Sequence, residues 1–278
     1  MSTNNNRDNV ESMKQWQRAR LAAYGGEFRP KGPGPSNVTV LAYFFRPVET
    51  AETHFPYTKC AIFETWRHCG AMKTVIVSHA VTPPVADFAN RYPDLVEIQV
   101  EPSLRPLPPG DIASMSADCN ARLHTRFSTD EVLIVQSDGF PVRPGLEGFL
   151  GRYDYLGAPF VRRNWKTRLA GIWPRRAVGN GGFSLRSRKI CKAAGARWPR
   201  FRKGDPDRWT VREDVFYCLT LPLLSRSFRR TCSFAPLDVA LRFSYDDLYE
   251  DPPDDPPFGF HGAGAFALYR KRGWIGEP

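Results

Sequence analysis

Asp138 stands where an apolar run of the sequence stops. In the stretch EVLIVQSDGF, the run from Val132 to Val135 is followed by Gln136, Ser137 and Asp138, and then by Gly139. A carboxylate at this point can give a hard oxygen ligand to a divalent cation, and the glycine allows a sharp turn. The pattern therefore predicts a polar site at the end of a buried strand.

Three later features carry groups with related chemistry. A glycine-rich loop covers residues 179–182 in GNGGFSLR, the acidic pair Glu213 and Asp214 follows it, and His261 lies between glycines in FGFHG. Glycines let a backbone approach a sugar or phosphate that a Cβ would obstruct. A carboxylate can act as a general base toward a hydroxyl group, and an imidazole nitrogen can bind a divalent metal.

Alternating strands and helices would position the first of these residues. The predicted strands are 38–45, 73–79, 95–100 and the EVLIVQ run, and the predicted helices are 55–70, 83–93 and 111–127, the last with Asp111 as its N-cap. This alternation is typical of βαβ units on a parallel sheet, and continuous apolar strands indicate that both faces are covered. Because ligands of such sheets bind beyond the carboxyl ends of the strands, Asp138 is expected at a ligand site.

The remaining segments are less regular. Residues 153–160 and 179–188 suggest strand-and-turn elements, 212–224 begins as a helix, and 246–266 reads as an acidic, proline-rich loop. A helix within 7–24 and a Gly/Pro linker form a segment, 1–36, that we expect to be peripheral.

Composition limits the classes of protein that fit. No apolar run approaches the ~18 residues of a membrane span, and the first residues contain no apolar signal-peptide core, so a cytoplasmic protein is expected. The cysteines include no CxxC pair, which favours reduced, buried thiols. They are Cys60, Cys69, Cys119, Cys191, Cys218 and Cys232.

Positive charge is concentrated in one segment. The net charge is +10, yet residues 162–212 hold sixteen Lys or Arg residues against Asp205 and Asp207. This basic segment could attract phosphates, anionic lipids or nucleic acid, or it could be a solvated arginine-rich face.

The order of these features resembles that of GT-A-fold glycosyltransferases, which use nucleotide-sugar donors. The strings VQSDG, YDYLGAP, VGNGGFSLRSR and EDVFY are similar to those of a bacterial and fungal family of glycosyltransferase-like domains. The resemblance covers residues 38–266. It implies an α/β, Rossmann-like fold with a mostly parallel central sheet flanked by helices and a smaller acceptor-side second half.

The resemblance also implies roles for individual residues. Asp214 would be the catalytic base, with Glu213 in reserve, and Asp138 and His261 would bind Mn²⁺ or Mg²⁺. The donor would contact a larger set of residues, namely Gln136, Ser137, Asp138, Gly181, Gly182 and Arg186. In this superfamily a DXD motif at a strand end holds the metal and the donor, and Gln136, Ser137 and Asp138 match it here. Gln136 replaces the first Asp of the motif, so weaker metal binding is expected. A metal-independent enzyme, with Arg186 or Arg188 holding the diphosphate, stays open.

The function that the resemblance implies is transfer of a sugar, from a UDP-sugar by preference, to a hydroxyl acceptor. The expected mechanism is inversion of the anomeric configuration with a carboxylate as base. The acceptor would be a glycan, a lipid-linked molecule or another hydroxyl compound, with peripheral contact to anionic membrane and no role for nucleic acid. After segment 1–36, we expect one catalytic domain, 37–278, with a nucleotide-sugar-binding half at 37–145 and an acceptor half at 146–278. The oligomeric state is left open.

Each feature also has a structural explanation, and two other functions stay open. The glycines could serve a hairpin, the acidic pair could stabilise a helix N-terminus, and His261 could be packed between Phe260 and Phe266. Trp165, Trp173 and Trp198 could stack on a sugar, although packing roles are favoured. The alternatives are a nucleotidyltransferase of related fold and a non-catalytic protein that uses the basic segment to bind nucleic acid or anionic membrane.

Overall fold

Most of the described strands form one mixed sheet. The structure is a computed structural model that describes residues 3–25, 28–104, 112–159, 178–201, 212–247 and 252–278. The strands of the large sheet are β1 (Val38–Phe44), β2 (Thr74–Ser78), β3 (Val96–Val100), β4 (Glu131–Val135), β6 (Tyr155–Gly157) and β7 (Ser184–Ser187). Their order within the described residues is β3-β2-β1-β4-β7-β6.

The first four strands are parallel, as the alternation of strands and helices predicted. β1 pairs in parallel with both β2 and β4, and β2 pairs in parallel with β3, whereas β7 runs antiparallel to β4 and β6. Every residue of β1, β2 and β4 is buried, which agrees with a sheet covered on both faces. The predicted α/β class with a mostly parallel sheet is confirmed.

Helices cover this sheet and continue along the chain. They are α1 (Thr3–Ala23), α2 (Val48–Cys69), α3 (Pro83–Arg91), α4 (Ala113–Arg122), α5 (Arg188–Gly195), α6 (Trp198–Phe201), α7 (Glu213–Val215), α8 (Leu221–Leu224), α9 (Arg226–Thr231), α10 (Leu237–Phe243) and α11 (Ala263–Lys271). A π-helical turn, Phe216–Thr220, joins α7 to α8 into one helical run. Short 3₁₀ turns occupy Leu123–Thr125 and Leu146–Gly148.

Two helix boundaries differ from the predicted ones. α2 begins well before residue 55, because Glu49 supports its first turn and Pro56 is accommodated inside the helix. It ends as predicted at Gly70, which has a φ of 82°. α4 begins at Ala113, and Asp111, its predicted N-cap, lies outside the described residues.

A second, smaller sheet lies at the end of β4. It consists of β5 (Gly139–Pro141), β8 (Ser244–Asp246) and β9 (Gly259–His261), in the order β5-β9-β8 within the described residues. β9 pairs antiparallel with β5 and parallel with β8. The segment predicted as a loop at 246–266 therefore contains part of one strand and the whole of another.

α1 packs into the body of the protein, contrary to the expectation that residues 1–36 are peripheral. Trp16 is buried and stacks on Phe140 of β5, with 6.3 Å between ring centroids, and its Nε1 donates to the carbonyl of Gly276 (3.0 Å). Met13 is also buried. Burial of these apolar side chains against the second sheet explains why α1 does not stand apart.

The structure bears on two expectations drawn from the composition, one about the cysteines and one about membrane-spanning helices. All six cysteines are buried and free, as predicted for reduced thiols. Among the described helices, none combines the length and the apolar character needed to cross a membrane.

Candidate active site

A two-residue turn presents Asp138 beyond the carboxyl end of β4. Gln136 and Gly139 exchange two backbone hydrogen bonds of 3.0 Å each, which leaves Ser137 and Asp138 at the tip. The Gly262 amide donates to the Asp138 carbonyl (2.8 Å), so the start of α11 holds the turn from one side. Asp138 therefore lies just beyond the end of a strand, as predicted from the sequence.

The turn is held from its other side by α1. The Gln17 side chain is fully buried, and its Nε2 donates to the carbonyl oxygen of Ser137 at 2.6 Å. A buried amide that satisfies a turn carbonyl restricts the positions the turn can take. Gln17 is therefore a positioning residue for the site, and the sequence offered no motif that would identify it.

The second sheet brings His261 to the same place. Its register sets His261 opposite Gly139 on one side and opposite Asp246 on the other. The His261 Nδ1 lies 2.8 Å from Asp246 Oδ2, and its Nε2 lies 3.9 Å from Asp138 Oδ1 and 3.4 Å from Gln136 Oε1. Residues 138 and 261, far apart in sequence, therefore face each other across a short gap.

Two acids control the protonation of this histidine. Desolvation would lower its pKa, but the charge of Asp138 and the hydrogen bond and charge of Asp246 outweigh burial and raise the pKa of His261 to about 9. Without a cation, His261 is therefore protonated at neutral pH. A metal at Nε2 would have to displace that proton, since a histidine ligand must be neutral at the coordinating nitrogen.

The donor atoms around the gap are compatible with a hard divalent ion. Asp138 offers a carboxylate oxygen, Gln136 an amide oxygen and His261 a nitrogen, a set that suits Mn²⁺ or Mg²⁺. Asp246 holds the other ring nitrogen, as carboxylates do beside metal-binding histidines. In the described part of the chain, no group of three or more His, Cys, Asp or Glu residues is arranged to hold a metal.

The glycine loop packs directly on the histidine and the acids. A Cβ on Gly182 would overlap the His261 ring, and one on Gly181 would overlap the Glu213 carboxylate. Asn180 connects the loop to the same residues, because its Oδ1 accepts from the Gly182 amide (3.0 Å) and its Nδ2 donates to Asp246 Oδ2 (2.5 Å). The glycines are required for close approach inside the site.

Arg186 lies beneath this loop and is fully buried. Its guanidinium sits between the rings of Tyr155 and Tyr217, at 4.9 and 5.0 Å from their centroids. Its Nη2 is 3.6 Å from Glu213 Oε1 and donates to the Gly181 carbonyl (3.4 Å), and its Nη1 has no hydrogen-bond partner among the residues that the structure describes. Such enclosure does not fit a direct diphosphate ligand and instead suits a residue that supports Glu213 and the loop.

Arg188, the other suggested diphosphate ligand, is at the wrong end of the sheet. Its backbone amide donates to the Asp130 carbonyl, and its Nη1 donates to the Ser128 carbonyl (3.1 Å). Those residues precede β4, whereas Asp138 follows it. The antiparallel pairing of β7 with β4 carries Arg188 away from the candidate site.

Glu213 and Asp214 are the first two residues of α7 and lie in different environments. Glu213 is 4% exposed, and its Oε2 accepts from Ser116 Oγ (3.1 Å). Asp214 is half-buried, and its Oδ1 accepts from the Val215 amide (2.7 Å). Of the two, Asp214 is the one that solvent can reach.

The surroundings of Asp214 disfavour its ionised form. Burial, followed by the charge of Glu213, raises the pKa of Asp214 to about 6, while Arg212 and Arg186 act in the opposite direction with smaller effects. The charge of Asp214 in turn contributes to the raised pKa of His261, so the two side chains belong to one electrostatic cluster. At pH 7 a carboxyl group with this pKa is still mostly ionised.

Asp246 and Asp247 are residues of the cluster that sequence reasoning missed. Asp246 is buried and bonded to His261, and the Asp247 carboxylate lies against Gly262 and Gly264. Burial, then the charge of Asp246, raises the pKa of Asp247. The string SYDD places acids after two β-favouring residues, but nothing in it indicates pairing with β9.

Much of the basic segment lies outside the described residues. Residues 160–177 and 202–211, with Trp165, Trp173 and nine of the sixteen Lys or Arg residues, belong to that part. Trp198 is described and buried, with its ring 5.0 Å from that of Phe216, so it packs in the core.

A family model covers the candidate site. The model described as "Protein of unknown function (DUF5672)" matches residues 115–261, more than half of the chain, and the chain belongs to this family. The match begins in α4 and ends at His261. It therefore includes the strand-end turn, the glycine loop and the acidic pair. No curated protein matches the chain.

Solved structures of glycosyltransferases share the fold. The galactosyltransferase LgtC, in complex with donor and acceptor sugar analogs, is 13% identical with a TM-score of 0.51, over 85% of this chain and 94% of that chain. Mouse xyloside xylosyltransferase 1 is 12% identical with a TM-score of 0.49, over 82% and 98%. The mannosyltransferase PcManGT from Pyrobaculum calidifontis, bound to GDP-Man and Mn²⁺, is 14% identical with a TM-score of 0.39, over 94% and 72%. The likeness to LgtC confirms the predicted GT-A-type fold, and identity this low shows the fold alone.

Proposed function

We propose that this protein is a glycosyltransferase that moves a sugar from a nucleoside-diphosphate sugar, with a UDP-sugar favoured, to a hydroxyl group. The observation that carries the proposal is the meeting of Asp138 and His261 at 3.9 Å beyond the carboxyl end of β4. Open α/β sheets bind ligands at that edge. The glycine loop and Asp214 complete a polar cluster in the same place.

The donor diphosphate would occupy the space beside Asp138 and His261, with Gln136 and Ser137 contacting the nucleoside part. A divalent ion held by Asp138 and His261, Mn²⁺ or Mg²⁺, would neutralise charge on the leaving diphosphate. Asp246 holds the His261 ring in one orientation and keeps Nε2 directed at Asp138. Gly181 and Gly182 let the loop pack directly against Glu213 and His261, where a Cβ would overlap those side chains.

Asp214 is the proposed catalytic base. It would accept the proton of the acceptor hydroxyl as that oxygen attacks the anomeric carbon, while the bond to the diphosphate breaks on the opposite face. This geometry inverts the anomeric configuration. A pKa of about 6 suits a base that works near neutral pH, because the carboxylate is mostly ionised yet still basic.

Glu213 and Arg186 take a supporting role in this proposal. Glu213 is bonded to Ser116 and enclosed near Arg186, so it is poorly placed to meet a hydroxyl from solvent. It acts on Asp214 through its charge, which raises the pKa of the neighbouring base. Arg186 is a positioning residue for Glu213 and the glycine loop.

The division of the chain follows the same scheme. We assign residues 37–145 to the donor side and 146–278 to the acceptor side, with a glycan or lipid-linked acceptor. The second sheet supports this assignment because β5 comes from the first part and β8 and β9 from the second. The candidate site thus lies where the two parts meet.

A donor screen tests the proposal. Thermal unfolding is measured with UDP-, GDP-, CMP- and dTDP-sugars, each with and without Mn²⁺, because a ligand that binds only the native state raises the Tm. Release of free nucleotide from the best donor is then followed over time. We expect Asp138→Asn and His261→Ala to remove the Mn²⁺-dependent increase, whereas the exposed-site change Asp238→Asn leaves it intact. A protein that no nucleotide sugar stabilises or that cleaves none would refute the proposal.

A further inference from the structure

Two exposed leucines lie at the corner between α8 and α9. Leu223 and Leu224 are 60% and 70% exposed, more than any other large hydrophobic residue that the structure describes. α8 ends at Leu224, and Ser225 begins α9 by accepting a hydrogen bond from the Phe228 amide (3.3 Å). Since Leu221 and Phe228 are buried on the inner side, the corner is fixed while its two leucines face solvent.

Arginines surround this corner and acids are missing from its sequence. Between Val215 and Leu237 the chain has three arginines and no Asp or Glu. Arg226 and Arg230 are exposed on α9, and Arg197 reaches the corner from the end of α5 through Ser225 Oγ (3.3 Å) and Ser227 Oγ (2.9 Å). We define the leucine–arginine corner as Leu223, Leu224, Arg197, Arg226 and Arg230.

We propose that the leucine–arginine corner docks on the surface of an anionic lipid bilayer. Leu223 and Leu224 enter the boundary between headgroups and acyl chains, and the arginines bind lipid phosphates. Isolated exposed apolar residues are ordinary on protein surfaces. An adjacent leucine pair at a rigid corner, flanked by cations and with no Asp or Glu in the sequence from Val215 to Leu237, has the two kinds of group that interfacial binding combines.

A second copy of the chain fits this surface less well. A symmetric dimer through the corner would bring Arg226 and Arg230 toward the same residues of the other copy. Like charges brought together in an interface oppose association. An anionic bilayer offers an apolar region to the leucines and negative charge to the arginines. This complementarity favours a bilayer over a second copy of the chain.

Docking at this corner would orient the candidate site. The helical run that starts at Glu213 ends at Leu224, and the ten steps along the chain from Asp214 to Leu224 span about 15 Å at 1.5 Å per residue. If the proposed function holds, the base lies within that distance of the lipid surface. The acceptor would then be a hydroxyl compound carried by the membrane.

Vesicle flotation without donor or acceptor tests the docking itself. The full chain is mixed with phosphatidylcholine vesicles that contain 30% phosphatidylglycerol, on the order of a typical anionic bilayer, or with phosphatidylcholine alone. We expect binding to the anionic vesicles that weakens as salt is raised, since exposed charges are screened within about 10 Å at 0.1 M.

Two double variants separate the contributions. Arg226→Gln with Arg230→Gln should lose about 25-fold in affinity, because each arginine near such a surface contributes about fivefold. Leu223→Ser with Leu224→Ser should lose at least tenfold, from the apolar area withdrawn from the bilayer. Matched controls are Arg7→Gln with Arg152→Gln for charge and Val81→Ser with Val100→Ser for exposed apolar area. The controls should bind as the unaltered protein does, and a far-UV spectrum and Tm confirm that each variant is folded.

Three outcomes would overturn the docking proposal. They are equal flotation with neutral and anionic vesicles, unchanged binding in both corner variants, and arginine-dependent binding to RNA without vesicle binding. Flotation does not depend on catalysis, so these results leave the proposed transferase activity unaffected. Conversely, a protein that binds vesicles through the corner but cleaves no nucleotide sugar would refute only the proposed function.

Discussion

The replacement Asp214→Asn should make the protein more stable and less active at the same time. The change substitutes an NH₂ group for one oxygen and keeps the shape of the side chain. The hydrogen bond from the Val215 amide to Oδ1 can be retained, because an amide oxygen accepts it as well. What the variant loses is the negative charge and the basicity.

The expected gain in stability comes from the raised pKa of Asp214. Its folded-state pKa is about 6, compared with an ordinary value of 3.8, because of burial and the charge of Glu213. This difference corresponds to about 3 kcal/mol of unfavourable free energy for the ionised form. Solvent reaches part of the side chain, so we expect about 1–2 kcal/mol in practice.

The sign of the pH dependence follows from the same values. Between about pH 4 and pH 6 the folded state keeps a proton that the unfolded state has lost, so the free energy of unfolding falls as pH rises through this window. Below the window Asp214 is neutral in both states and costs nothing, and above it the cost is complete. The Asn variant lacks this contribution and should exceed the unaltered protein in stability most clearly at pH 7–8.

Urea unfolding at pH 4, 5, 6 and 7.5 measures the effect, together with sugar transfer by the same samples. Transfer should fall by about 10²–10⁴, the usual cost of losing a general base, while donor affinity is kept. Asp238→Asn is the control, because it removes one charge from a side chain that is 74% exposed. A variant that is less stable at pH 7.5, or one that transfers sugar at a near-normal rate, would refute the reasoning.

Four further predictions concern the same site. The acid limb of kcat/KM should show an apparent pKa near 6, because Asp214 must be ionised to act, and a profile that stays flat down to pH 5 would contradict this role. Gly182→Ala should weaken Mn²⁺ and donor binding in calorimetry and cost about 1–3 kcal/mol of stability, because the new Cβ overlaps His261. Gly148→Ala is the control, because a Cβ there meets open space, and it should change neither binding nor stability. Asp246→Asn should reduce Mn²⁺ affinity about 10–100-fold, as loss of a carboxylate behind a metal-binding histidine does, and unchanged affinity would remove Asp246 from the metal site. Gln17→Ala should cost about 1–3 kcal/mol in urea unfolding by leaving the Ser137 carbonyl unpaired, and should weaken donor binding more than the exposed-site change Arg18→Ala does.

The parallel half of the fold could be predicted because its signals are local and strong. β1, β2 and β4 are continuous apolar runs, and the helices between them have clear stops, such as Gly70. The position of Asp138 at a strand end could be predicted because the apolar run of β4 stops just before it. In these cases residues next to one another in sequence determine the structure.

The second sheet could not be predicted in this way. β5, β8 and β9 have three residues each, too few for any hydrophobic period to show, and they form only through pairing with distant segments. The role of Asp246 depends on that pairing, and so does the contact of Gln17 with the turn. The enclosure of Arg186 could not be predicted for a related reason, because only tertiary packing brings it between Tyr155 and Tyr217.

The position of β9 between β5 and β8 also determines when the site can exist during synthesis. Asp138 leaves the ribosome 123 residues before His261, an interval of about 6–25 seconds at 5–20 residues per second. During that interval β1, β2, β3 and β4 can already pair, but β5 and β8 have no strand between them. A nascent chain would therefore hold the acid without its histidine, and the proposed metal site can form only after residue 261 has been made.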